Sequence, residues 1–116
     1  MLDVAQIARL EGLSEDDLMS LLGREVLSKG VGADQASDEE KVEVGKNFFA
    51  EHRAELKRRL CGSGFRAQFS KERYGKMELY AAIADAVSTM FTGIALAVVA
   101  VLIVREGLDG LCKNSS

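Results

Sequence analysis

Proline and tryptophan are absent from the 116 residues, and histidine occurs once. Without proline, no backbone donor is removed and no ring clashes with a preceding turn, so helices can run uninterrupted wherever periodicity supports them. The lone histidine, His52, shares a helical face with Phe48, Phe49 and Leu56, and it reads as a packed side chain rather than a ligand or base. One histidine cannot build a His-rich metal centre, and it leaves any Ser or Cys nucleophile without a base that a third group orients. Cysteine is sparse too: fifty residues lie between Cys61 and Cys112, and no CxxC pair exists. With no secretory leader legible at Met1, the expectation is two ordinary half-buried thiols in a reducing cytoplasm. The glycine pairs Gly30/Gly32 and Gly62/Gly64 lack the strand, helix and lysine at fixed offset that a phosphate loop needs. No catalytic residue, metal or cofactor is therefore expected, and the chain reads as non-enzymatic.

Hydrophobic residues make up 47% and charged residues 28% of the chain, a balance that supports one folded core and argues against wholesale disorder. A chain of this length fits a single domain. The net charge of −3 conceals a division along the sequence: residues 1–51 carry −7, residues 53–76 carry +6 and residues 77–116 carry −2. The basic stretch supplies the one candidate contact surface, Arg53, Lys57, Arg58, Arg59, Arg66, Lys71, Arg73 and Lys76. Such a surface can meet phosphate or lipid headgroups, or it can pair with acidic helices of its own chain, and self-pairing or plain solvation is the favoured reading.

The hydrophobic pattern is helical throughout. Val4, Ile7, Ala8 and Leu10 mark a short helix ended by Gly12. Ser14, followed by Glu15, Asp16 and Asp17, is an N-cap with acids in the first turn, and Leu18, Leu21, Leu22 and Val26 give the apolar face of a second helix over 15–29. Gly30 to Ser37 read as a loop. Ser37 with Glu40 forms a capping box, after which Val42, Gly45, Phe48, Phe49, His52, Leu56 and Leu60 mark the clearest amphipathic helix, over 38–60. A loop follows, pinned by Phe65 and Phe69, with Ser70 as cap of the next helix. From Lys71 to about 106 the pattern predicts one long apolar helix kinked near Gly93, or two helices meeting there. The acids Glu15, Asp16, Asp17, Asp38, Glu39 and Glu40 all fall in first turns and read as stabilisers of helix starts.

Two local patterns suggest other functions. Ala8, Gly12, Leu18 and Leu21 are spaced in a way that resembles a helix-turn-helix, which implies a DNA-binding regulator. The helix that would face the bases opens, however, with Ser14, Glu15, Asp16 and Asp17, whose acids repel phosphates, so the geometry reads as a packing hairpin over 1–29 and nucleic acid is disfavoured as a partner. Ala86 to Val104 is nineteen residues without a charge, preceded by the bases Arg66, Lys71, Arg73 and Lys76, a layout resembling a C-terminal membrane anchor. Ser88, Thr89, Thr92 and Gly93 interrupt its first half, leaving eleven strongly apolar residues, a length suited to a buried core helix. The expectation is accordingly an all-α bundle of four to six helices with this apolar helix at its centre. Its expected role is a cytoplasmic interaction or accessory module that binds a protein partner or its own copies; a membrane-anchored small protein and a DNA-binding regulator are the alternatives.

Overall fold

The computed structural model describes residues 4–28, 36–62, 75–91 and 93–112. Along them run α1 (Val4–Glu11), α2 (Glu15–Leu27), α3 (Asp38–Cys61), α4 (Lys76–Ala86), α5 (Gly93–Glu106) and a closing turn, α6 (Leu108–Leu111), with no strand among the described residues. The fold is a small all-α bundle, compact around α5.

The starts of α2 and α3 follow from their first residues. Ser14 and Ser37 sit in extended backbone, and their hydroxyls accept from the N–H of Asp17 at 3.0 Å and of Glu40 at 3.1 Å, satisfying donors that a helix start leaves orphaned. The Ser37 hydroxyl in turn donates to Glu40 Oε1 at 3.2 Å. The end of α5 is set by Gly107, whose φ of 83° is a left-handed conformation open to glycine at little cost, and whose N–H returns to the Ile103 carbonyl at 2.8 Å.

Helix α5 is central because it is apolar all round. Ala97, Val98, Val99, Ala100, Val101, Leu102 and Ile103 are consecutive and all buried, which a helix permits only when neighbours cover every side. Ile7 and Leu10 of α1, Leu18 and Leu22 of α2, Phe49, Leu56 and Leu60 of α3, and Tyr80 and Ile83 of α4 complete the core. On α3, Gly45, Phe49, Leu56 and Leu60 are buried, while Val42, Phe48 and His52 lie half-buried at the edge of the same face.

The sequence and the structure part in several places. The uncharged stretch 86–104 is not one helix: α4 ends at Ala86, residues 87–90 form a turn, and α5 begins at Gly93 with φ of 61°. Among the described residues no helix is long and apolar enough to cross a membrane, and the stretch 86–104 weighed as an anchor is divided between the end of α4, a turn and α5. The thiol expectation is corrected as well. Cys61 and Cys112 are joined in a disulfide, with Cα atoms 5.7 Å apart, tying the last residue of α3 to the residue after α6. Two cysteines so far apart in sequence carry no pairing signal, and only the packing of α6 beside the end of α3 brings them together. Phe65, Phe69 and Ser70, most of the expected 30–37 loop and the expected helix start at Lys71 lie outside the described residues; α4 is described from Lys76, with Gly75 as its N-cap and no side-chain cap bond. Finally, α1 and α2 are neighbours in sequence, but α2 packs most extensively on α3, while α1 lies against α5.

Candidate functional site

The α2–α3 pair is built on two glycines. Gly23 and Gly45 are both buried in helix interiors, where glycine costs about 1 kcal/mol relative to alanine and so calls for a packing reason. The reason is contact between the two backbones. A Cβ on Gly23 would overlap the Lys41 carbonyl, standing 2.7 Å from its carbon, and one on Gly45 would overlap the Met19 carbonyl, 2.8 Å from its carbon. Met19 opposite Gly45 and Gly23 opposite Lys41 also fix the pair as antiparallel, since one number rises as the other falls.

This close pairing brings the acidic halves of two helices to one surface. A groove of about 870 Å³ runs along it, lined by Leu13, Leu21 and Val42, by Asp16, Asp17, Asp38, Glu39 and Glu43, and by Ser20, Lys46 and Asn47. The three aliphatic residues are half-buried and the five acids exposed, giving an apolar floor with a carboxylate rim. Among the described lining residues Lys46 is the one cation, and its Nζ stands 3.7 Å from an Asp16 carboxylate oxygen. Among the described residues Asp17, Asp38, Glu39 and Glu43 have no cationic partner. The acids were legible in the sequence as helix starters; their convergence was not, because it depends on which helices pair.

Of the basic surface expected from sequence, Arg53, Arg58 and Arg59 carry ion pairs within the chain. Arg53 makes a two-pronged ion pair with Glu106 at the end of α5, one bond measuring 3.1 Å. Arg58 and Arg59 both pair with Glu55, and the Arg58 hydrogen bond is the first cause holding the Glu55 carboxyl below its usual range. Arg59 also donates to the Ala86 carbonyl at 3.3 Å and to Thr89 Oγ1 at 2.9 Å, placing a cation at the carbonyl end of α4. Lys57 is half-buried. Arg66, Lys71 and Arg73 lie outside the described residues, as does the side chain of Lys76. The structure thus brings together Arg53, Lys57, Arg58 and Arg59 along one helix and spends three of them on internal pairs.

Two features near the core were missed in the sequence. Arg105 donates to the carbonyls of Glu11 at 2.9 Å, Leu10 at 3.4 Å and Leu13, closing the carbonyl end of α1 as Arg59 closes that of α4. The Tyr80 hydroxyl donates to Glu11 Oε2 at 2.6 Å, and burial first, then that hydrogen bond, pushes the phenol well above its usual range. His52 sits where the periodicity put it: its Nδ1 lies 2.8 Å from the Phe48 carbonyl, and its ring packs 4.3 Å from that of Phe48 and 5.3 Å from that of Phe91. A second cleft, about 620 Å³, lies between α2, α3 and α5; of its charges Arg53, Glu106, Arg105 and Lys46 are already engaged, and Glu15 stands at its edge in the first turn of α2. Among the described residues no group of three His, Cys, Asp or Glu could hold a metal ion. No family model matches the chain, and no curated protein or solved structure matches it either.

Proposed function

We propose that this chain is a non-enzymatic, protein-binding helical module whose α2–α3 groove takes a cationic, amphipathic segment. The observation that carries this reading is the set of four carboxylates, Asp17, Asp38, Glu39 and Glu43, without a cationic partner among the described residues, around a half-buried aliphatic floor, in a fold that pairs Arg53, Arg58 and Arg59 internally. A segment with bases on its flanks and apolar residues between them satisfies both parts at once: the floor gains burial, and the rim gains opposite charge that guides encounter and fixes register. The internal pairing of Arg53, Arg58 and Arg59 speaks against the alternative in which these three grip nucleic acid phosphates. The Cys61–Cys112 bridge favours a setting where thiols oxidise over the reducing cytoplasm expected from sequence.

The test is a calorimetric titration of the whole chain with a synthetic lysine–leucine amphipathic peptide. Binding is expected at low ionic strength, weakening at least ~10-fold when salt rises to a Debye length of about 8 Å, and weakening as much in Asp17→Lys/Glu43→Lys. Equal affinity for parent and variant would remove the groove from the reading, and an absence of binding at low salt would overturn it.

A further inference from the structure

We propose that the segment the groove takes is residues 65–76 of a second copy of this chain, so that two copies pair reciprocally, each groove filled by the other's basic stretch. The proposal rests on the reading of the groove as a site for a cationic, amphipathic segment, and it names the segment.

Charge and chemistry both point to this stretch. Residues 65–76 hold four bases, Arg66, Lys71, Arg73 and Lys76, against one acid, Glu72, with Phe65, Phe69 and Tyr74 interleaved. The groove offers the complement, five carboxylates against Lys46 and a floor of Leu13, Leu21 and Val42. Aromatic side chains cover large apolar areas at low entropic cost, and the alternation of rings and bases matches a floor bordered by acids. Three other bases are already engaged within the fold: Arg53 finds Glu106, and Arg58 and Arg59 find Glu55. The acidic groove and the basic stretch are thus opposite in charge, and each combines its charges with apolar side chains.

Reach favours a second copy over closure within one chain. The basic stretch leaves α3 beyond Gly62, and Asn47 and Glu39 of the groove lie further back along that straight helix, at a rise of 1.5 Å per residue, by roughly 22 Å and 35 Å. At no more than ~3.5 Å per residue, merely reaching the near edge uses six or more of the residues between Gly62 and Gly75, and the chain must still lie along the floor and return to Gly75. A second copy carries no such tether. Because every copy bears both groove and stretch, the pairing is self-complementary and closes on a two-fold axis, the commonest form of homo-oligomer.

The experiment is a charge swap followed by sedimentation equilibrium on the full-length, oxidised protein. One variant reverses the groove, Asp17→Lys/Glu39→Lys/Glu43→Lys; the other reverses the stretch, Arg66→Glu/Lys71→Glu/Arg73→Glu. Far-UV circular dichroism establishes that each remains helical, and an Asp17→Asn/Glu39→Gln/Glu43→Gln variant stands in should the first fail to fold. The parent is expected to be a dimer at about 50 mM salt that loosens at least tenfold toward about 0.5 M as the Debye length shrinks. Each reversed variant alone is expected to be monomeric, and their equimolar mixture to form a mixed dimer, since mixing restores opposite charge at both contacts. Excess free peptide of residues 63–76 should dissociate the parent dimer, a readout that needs no variant. A monomeric parent, a dimer indifferent to both reversals, or reversed variants that do not recombine would each overturn the pairing. A monomeric parent that still binds the lysine–leucine peptide would leave the groove reading standing, whereas failure to bind either peptide would remove both.

Discussion

Replacing Gly45 by alanine sets two effects of opposite sign against each other. Helix propensity alone favours the change by about 1 kcal/mol, because glycine in a helix interior loses more backbone freedom on folding than any other residue. Packing opposes it. The new methyl would overlap the Met19 carbonyl and stand 2.8 Å from its carbon and 3.1 Å from the Gly23 nitrogen, all backbone atoms held in a helix and unable to swing aside. To restore ordinary contact α2 and α3 must separate by more than about half an ångström, a gap that forfeits roughly a quarter or more of the dispersion between the surfaces it opens. Overpacking of this kind costs about 1–3 kcal/mol, with the upper end expected where backbone meets backbone. The net is a destabilisation of about 2 kcal/mol, and for a domain of this size about 10 °C in Tm. Thermal and urea denaturation followed by far-UV circular dichroism measure it directly. Gly23→Ala should behave alike, and the double variant should cost less than the sum, since one widening of the pair accommodates both methyls. A Gly45→Ala protein as stable as the parent would show that the helices are not packed through their backbones.

The Cys61–Cys112 bridge spans a sequence separation of 51, for which loop-closure entropy gives about 4 kcal/mol, so reduction should lower Tm markedly; identical melting of oxidised and reduced protein would contradict the bridge's structural role. Phe49, buried on α3, should cost about 3–5 kcal/mol on truncation to alanine, and an unchanged melt would show that this face is not core. Tyr80 links stability to alkaline pH: burial and the Glu11 bond raise its folded pKa above the unfolded value of about 10, so its contribution is fully present below that pH and is lost as pH rises through the folded value. Stability measured from pH 8 upward should fall beyond about pH 10 in the parent and fall less in Tyr80→Phe; equal slopes would sever the link.

Much of this architecture is local, and local features are legible. Ser14 and Ser37 announce two helix starts through hydroxyls placed three residues ahead of the N–H they accept. The run ending at Val104 announces a helix covered on every side. What stayed hidden depends on which elements meet. Gly23 is an ordinary helix-weakening residue until Lys41 lies across it, and Cys61 is an ordinary thiol until α6 brings Cys112 alongside. The groove belongs with these. Asp16, Asp17, Asp38 and Glu39 read in sequence as separate helix starters, and only the antiparallel pairing of α2 with α3 makes them one rim. The partners of Arg53 and Arg59 were hidden for the same reason, because Glu106, the Ala86 carbonyl and Thr89 approach them from outside α3.

The most direct measurement is residue-resolved NMR on the full-length, isotope-labelled protein, oxidised and dilute enough to be monomeric, titrated with the free peptide of residues 63–76 at about 50 mM salt, where charges a Debye length apart still interact. Docking in the α2–α3 groove should shift the backbone amides of Leu13, Asp17, Leu21, Val42 and Glu43, with the shifts receding as salt is added, and should leave those around Arg58 and Arg59 in place. Shifts confined to the Arg53–Arg59 surface, or none in the groove at saturating peptide, would contradict the groove as the binding surface of this protein.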